Sequence, residues 1–149
     1  MQAAILQVKF KAFVEYELTD INKVAATYSK LIGEQLADEV VTPIIPTEYY
    51  SSWAQYTITL QNKEIRDTLQ KHLADKGIPS NVYYRKPMHE QGAFESLRRD
   101  YQNDYQNELK VTRSLCERVL SLPMHPYLEE EEIVSVVEAM VEFFAAANR

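Results

Sequence analysis

From the second residue to about residue 32, apolar side chains recur at three- and four-residue steps: Phe10, Phe13, Val14, Ile21, Val24, Ala25, Tyr28, Leu31 and Ile32. That period places them on one face, and it predicts one long helix or two helices in line over residues 1–32. The first turns read differently. Ala3-Ala4-Ile5-Leu6-Gln7-Val8 is apolar almost all round, and no Ser, Thr, Asp or Asn stands before it as a cap. A helix apolar on several sides needs cover on several sides. The rest of the chain is too small to build its own core and also surround this end, so the expectation is an upstream segment that packs there. Gly33 is the expected stop.

Beyond it, Val40-Val41, Pro43, Ile44-Ile45 and Pro46 form an extended stretch that two prolines confine to a sheet edge or a lead-in. Glu48-Tyr49-Tyr50-Ser51-Ser52 reads as a connecting loop. Tyr56, Ile58 and Leu60 then alternate with Gln55, Thr57 and Thr59, the pattern of a half-buried strand. Asn62 is placed to cap a helix carrying Ile65, Leu69 and Leu73, which Gly77 and Pro79 end. Asn81-Val82-Tyr83-Tyr84 is strand-like and runs into the loop Arg85-Lys86-Pro87-Met88-His89. Residues 95–106 are polar, and read as part helix and part mobile surface. A helix over roughly Asn107 to Leu120 presents Leu109, Leu115, Cys116 and Val119. Leu122-Pro123-Met124-His125-Pro126 is short and extended. The last helix opens with Glu129 to Glu132, acidic residues suited to the positive end of a helix dipole, and buries Ile133, Val136, Val137, Met140 and Phe144. Helices interleaved with short strands, the first two hairpin-like, give an α+β fold: a small, mostly antiparallel sheet covered by helices.

Composition narrows what such a fold does. A chain of 149 residues is one domain with room for one real core. A net charge of −6 with dispersed basic residues argues against nucleic acid or an anionic membrane as a general partner. A single cysteine, Cys116, allows neither an intrachain disulfide nor a multi-cysteine metal site, and it reads as a small buried hydrophobe. Neither a signal peptide nor an apolar run of membrane-spanning length is evident, so the chain reads as cytoplasmic. With glycine only at 33, 77 and 92, there is no glycine-rich loop to cradle a phosphate.

Candidate chemistry is sparse. His72 sits inside an amphipathic helix, as a surface or boundary residue. His89 and His125 each follow a Pro-Met pair, without the nearby ligands a zinc site needs. No serine or cysteine has a base beside it in sequence. Tyr83-Tyr84 is more informative: neighbours on a strand face opposite ways, so one ring packs and the other points out. The outward ring serves either as rim packing or as a stacking or phosphate-contacting group. Arg85, Lys86 and His89 follow within five residues, forming either an anion-recognition loop or a solvated one.

At this segment the sequence resembles a known family. Tyr83-Tyr84-Arg85-Lys86-Pro87-Met88-His89-Glu90-Gln91-Gly92-Ala93-Phe94 is similar to the [His/Tyr]-Tyr-x-x-Pro-Leu-His-x-Gln-x-x-Phe signature of the DegT/DnrJ-type (StrS-like) sugar aminotransferases. Gln2-Ala3-Ala4-Ile5-Leu6 resembles the start of that family's interdomain helix, and Ser52-Trp53-Ala54-Gln55-Tyr56 its small-domain strand. Gly77-Ile78 and Leu120-Ser121-Leu122-Pro123-Met124-His125-Pro126 follow in the family's order. The resemblance implies the C-terminal small domain of a fold type I, pyridoxal-phosphate (PLP)-dependent transferase. Residues 1–149 would be that domain and residues 1–32 its interdomain helix region, with the large PLP-binding domain and its Schiff-base lysine outside this chain. It further implies a homodimer that moves an amino group from glutamate to a nucleotide-linked keto sugar. No catalytic or cofactor-binding residue is assigned here, and the segment by itself is expected to be inactive. Substrate-binding positions carried over are Tyr83, Tyr84 and His89, with Gln91 a weaker inclusion. Arg85 and Lys86, which fill the signature's variable pair, are assigned to contact with a diphosphate. His125 is assigned a structural role in the turn before the last helix. Met for Leu at 88 and 124 reads as a mild core swap. The alternative is a free-standing dimerisation or small-ligand-binding module with no catalysis.

Overall fold

The computed structural model describes residues 2–96 and 109–147. The chain opens with α1 (Gln2–Ala12), passes through one π-helical turn (Phe13–Glu17), and continues as α2 (Leu18–Gln35). A π turn holds an extra residue and rotates the helix faces against each other. The apolar stripe therefore does not run straight through it. Ile21, Val24, Ala25, Tyr28 and Ile32 of α2 are buried, whereas Phe10 and Val14, which the 3.6-residue period aligned with them, are exposed. Nothing of α1 is buried, and Ile5, Leu6 and Val8 all face outward. Gly33 does not end the helix. It continues to Gln35, and the amide of Leu36 still donates to the carbonyl of Ile32.

The turn between the helices carries a buried carboxylate. Glu17 is only 3% exposed, and it accepts hydrogen bonds from Lys9 Nζ and from the hydroxyl of Tyr127. Those bonds hold its carboxyl below the usual range, with Lys9 the larger cause. The Tyr127 hydroxyl is pushed up to about 12, chiefly by the bond to Glu17. Lys9 also lies 5.5 Å from the centre of the Tyr127 ring. This cluster ties α1 to the segment before the last helix.

Strand β1 (Tyr56–Thr59) pairs antiparallel with β2 (Val119–Leu122), with Tyr56 opposite Leu122 and Thr59 opposite Val119. Single bridges extend the sheet on both sides, Val41 to Thr59 and Asn81 to Ser121, both antiparallel. Val41 thus takes the edge place that its prolines dictate. The strand expected over residues 81–84 shrinks to Asn81: Tyr83 and Tyr84 have turned out of the sheet. β2 is the other revision. The helix expected to reach Leu120 is α4 (Lys110–Arg118), and Val119 and Leu120 belong to the strand instead. Residues 97–108, which include most of the polar stretch and Asn107, lie outside the described residues.

Helix α3 (Lys63–Asp75) has the expected ends. Asn62 Oδ1 accepts from the amide of Ile65 at 2.9 Å, a side-chain N-cap. At the other end Gly77 has φ +76°, and the amides of Gly77 and Ile78 bond back to Ala74 and Leu73. That closure needs a left-handed residue, which glycine supplies without a Cβ clash. Helix α5 (Glu130–Ala147) begins with Glu132 accepting from the amide of Glu129 at 2.9 Å. It buries all five residues of its predicted stripe.

The core lies between the sheet and these helices. Ile58 and Leu120 sit opposite one another, as do Tyr56 and Leu122, and together they meet Tyr28 and Ile32 of α2, Leu69 and Leu73 of α3, and Met140 and Phe144 of α5. Tyr28 stacks on Tyr56 with ring centres 5.0 Å apart. Arg66 of α3, only 1% exposed, spans to the junction of α4 and β2. Its Nη1 donates to the carbonyls of Cys116 and Val119, and its Nε to Asp67. Cys116 is half-buried rather than enclosed, and burial pushes its thiol up. Met124 packs against the core as expected, but Met88 is 65% exposed, so the swap at 88 is a surface change. No helix of the described residues is long and apolar enough to cross a membrane.

Candidate substrate-binding segment

Residues 81–94 leave the sheet edge as a series of tight turns. Asn81 exchanges backbone hydrogen bonds with Ser121 at 3.0 and 2.7 Å, which anchors the start of the segment to β2. Val82 packs against the core. The next two residues form a turn that lifts both tyrosines from the surface. Tyr83 is 41% and Tyr84 69% exposed, and their rings meet edge to face at 5.7 Å. Rings in that arrangement offer an apolar face and a hydroxyl together, an environment suited to a planar or sugar-bearing ligand.

Arg85 does not continue outward with them. Its Nη2 donates to Gln70 Oε1 at 2.7 Å, and its Nη1 lies 3.7 Å from Asp67, so the guanidinium rests on α3. Lys86 is exposed. Pro87 is buried and leads into a single 3-10 turn, Met88–Glu90. His89 is half-buried, with Nε2 enclosed and 3.7 Å from Glu90 Oε1. Gln91, also half-buried, precedes a second 3-10 turn, Gly92–Phe94, whose last amide bonds back to the Gln91 carbonyl. Of the carried-over positions, Tyr83, Tyr84 and Lys86 are exposed, His89 and Gln91 are half-buried, and Arg85 is turned onto α3. Pattern reading missed Glu90, Gln70 and Asp67, because nothing in periodicity marks a polar residue as the partner of one far along the chain.

The other histidines lie elsewhere. His72 Nε2 is 3.1 Å from the carbonyl of Ala139, between α3 and α5. His125 is exposed, and its carbonyl accepts from Leu128 in the turn before α5. Among the described residues, no three His, Cys, Asp or Glu side chains converge as a metal site would require.

The sequence model of the DegT/DnrJ/EryC1/StrS aminotransferases matches residues 1–141. This chain belongs to that family. It is 40% identical over 144 residues to a pleiotropic regulatory protein of Geobacillus stearothermophilus, covering 97% of this chain and 36% of that protein. It is 34% identical over 143 residues to UDP-2-acetamido-2-deoxy-3-oxo-D-glucuronate aminotransferase of Pseudomonas aeruginosa, covering 94% and 35%. The crystal structure of a DegT/DnrJ/EryC1/StrS aminotransferase from Brucella abortus superposes with a TM-score of 0.78 at 35% identity, over 96% of this chain and 35% of that one. The chain thus spans about a third of the length of these relatives, and its fold is the matching part of a fold type I aminotransferase.

PLP, the cofactor such a fold implies, needs a lysine beside its aldehyde and a cradle for its phosphate. Every lysine of this chain is exposed. None of the three glycines has a neighbouring atom within 4 Å of where a Cβ would stand, so none marks a close backbone approach. The described residues do not fit PLP as a resident group.

Proposed function

We propose that this chain is the substrate-receiving small domain of a PLP-dependent nucleotide-sugar aminotransferase, which moves an amino group from glutamate to a keto sugar. In this reading residues 1–32 form the interdomain helix region. The Schiff-base lysine and the phosphate cradle come from a large domain outside this segment, and the enzyme works as a homodimer. The observation that carries the reading is the segment from Tyr83 to Gln91: two adjacent exposed aromatic rings, an exposed cation at Lys86 and an imidazole at His89, on a segment that resembles the family signature. An aromatic pair beside cationic and imidazole nitrogens suits a ligand that is planar at one end, anionic in the middle and hydroxylated at the other. The exposed apolar start of α1 supports a covering partner domain.

The two half-reactions test this in the full-length enzyme. Tyr84→Ala and His89→Ala are expected to raise the Michaelis constant for the nucleotide sugar while leaving amino transfer from glutamate to the cofactor unchanged. Equal losses in both half-reactions, or no loss in either, would overturn the assignment.

A further inference from the structure

The turn that carries His89 has little to fix it. Met88–Glu90 is one 3-10 turn with no buried residue and no side-chain cap. Glu90 supplies the restraint. Nε of Arg113 donates to its Oε1 at 2.6 Å, and Nη2 of the same guanidinium lies 2.6 Å from that oxygen. Arg113 stands in the first turn of α4, and the other end of α4 is held by the buried guanidinium of Arg66 through the Cys116 carbonyl. The enclosed Nε2 of His89 faces the same Glu90 oxygen at 3.7 Å and has no hydrogen-bond partner among the described residues. One hydrogen-bonded nitrogen and two further nitrogens thus converge on one oxygen, so a shift of Glu90 moves the wall against which the imidazole rests.

A contribution to fold stability is a poor account of this pair. Arg113 is 39% and Glu90 24% exposed, and ion pairs so open to water add little to folding. Position is what one short charge-assisted bond and a second guanidinium nitrogen against the same oxygen do control, since together they fix both the direction and the distance of the carboxylate. We propose that Arg113 is a positioning residue: through Glu90 it sets where His89 stands at the nucleotide-sugar site. This rests on the reading above, in which substrate lies along residues 83–91.

The test uses the full-length enzyme and separate kinetics for the two substrates. Arg113→Met is expected to raise the Michaelis constant for the nucleotide sugar roughly tenfold, the scale of one charge-assisted contact. The turnover number should change by less than about twofold, and the glutamate half-reaction should not change, because the lost restraint acts on sugar binding alone. Arg113→Lys, which retains one cation, should recover part of the loss. In a His89→Ala background, Arg113→Met should add nothing, since the group it positions is gone. Should Arg113→Met fail to fold, Glu90→Gln weakens the same contact from the other side and carries the same expectations.

The positioning role is overturned if Arg113→Met leaves the sugar constant unchanged while His89→Ala raises it. Full additivity of the two substitutions also overturns it, as does a parallel loss of turnover and of the glutamate half-reaction. If His89→Ala itself leaves sugar binding untouched, the substrate-site reading fails and the proposal fails with it.

Discussion

Among the described residues, Arg66 heads the large side chains that are completely buried, and methionine in its place isolates what the guanidinium contributes. Methionine keeps an unbranched apolar stem of similar reach, so packing along α3 changes little. The hydrogen bonds change. Asp67, 38% exposed, returns to water at small cost. The two carbonyls that Nη1 reaches at 3.3 Å are worse placed. Cys116 is in the last turn of α4, where carbonyls have no helical donor ahead of them. Val119 directs its carbonyl to the edge of β2 away from β1, the side on which Ser121, two residues on, pairs with Asn81. Leaving a covered acceptor unbonded costs about 1–3 kcal/mol, and release from burying a cation returns part of that. The expected loss for Arg66→Met is therefore about 2–4 kcal/mol, or a melting temperature lower by roughly 5–15 °C for a chain of this size. Arg66→Lys retains the charge but reaches one acceptor at a time, and should fall between the two. Urea unfolding of the chain measures this, with the midpoint moving and the slope unchanged. Arg66→Met within about 0.5 kcal/mol of the parent, or above it, would refute the reasoning by showing that the desolvation cost of the guanidinium cancels its bonds.

Asn62→Ala removes the side-chain cap of α3 and should cost about 1 kcal/mol in the same assay, whereas Asn62→Asp should cost far less. Glu17 gives a pH dependence. Its folded carboxyl titrates below the ordinary value of 4.5, so its stabilisation is full above that pH and lost as pH falls through the lower folded value. Amide protection factors over residues 9–17 should drop across that window in the parent and not in Glu17→Gln; the same drop in both would exclude Glu17 as the cause. In the full-length enzyme, neutralising Arg85 and Lys86 together should raise the Michaelis constant for the nucleotide sugar roughly tenfold. Lys86 should account for the larger share, because Arg85 already donates to Gln70. An unchanged constant would remove both from the site.

Much of the fold was legible because local signals agreed. α3 has a cap at Asn62, apolar residues at four-residue spacing and a left-handed glycine at 77, and each has its expected place. The buried stripe of α5 and the alternation of β1 were equally plain. What stayed hidden depends on partners distant in sequence. Val119 and Leu120 fit a helical pattern, but β1 offers them a ladder, so they join it. Tyr83 and Tyr84 have strand-like side chains, yet Ser121 pairs with Asn81 and no bridge follows it. The π turn at residues 13–17 breaks the period that a uniform helix would extend from Phe10 to Ile21. Glu17 with Tyr127, and Glu90 with Arg113, are invisible to pattern reading for the same reason. The candidate site was found by resemblance to a signature. That Arg85 is held by Gln70 and Glu90 by Arg113 came from geometry.

On the proposed reading this segment receives substrate but does not hold the cofactor. Adding PLP to this chain, and to a version extended upstream to the length of its relatives, separates the two roles. The internal aldimine absorbance should appear with the extended version alone, and borohydride should trap one lysine there. A stoichiometric, borohydride-trappable aldimine at a single lysine of the 149-residue chain would contradict the account.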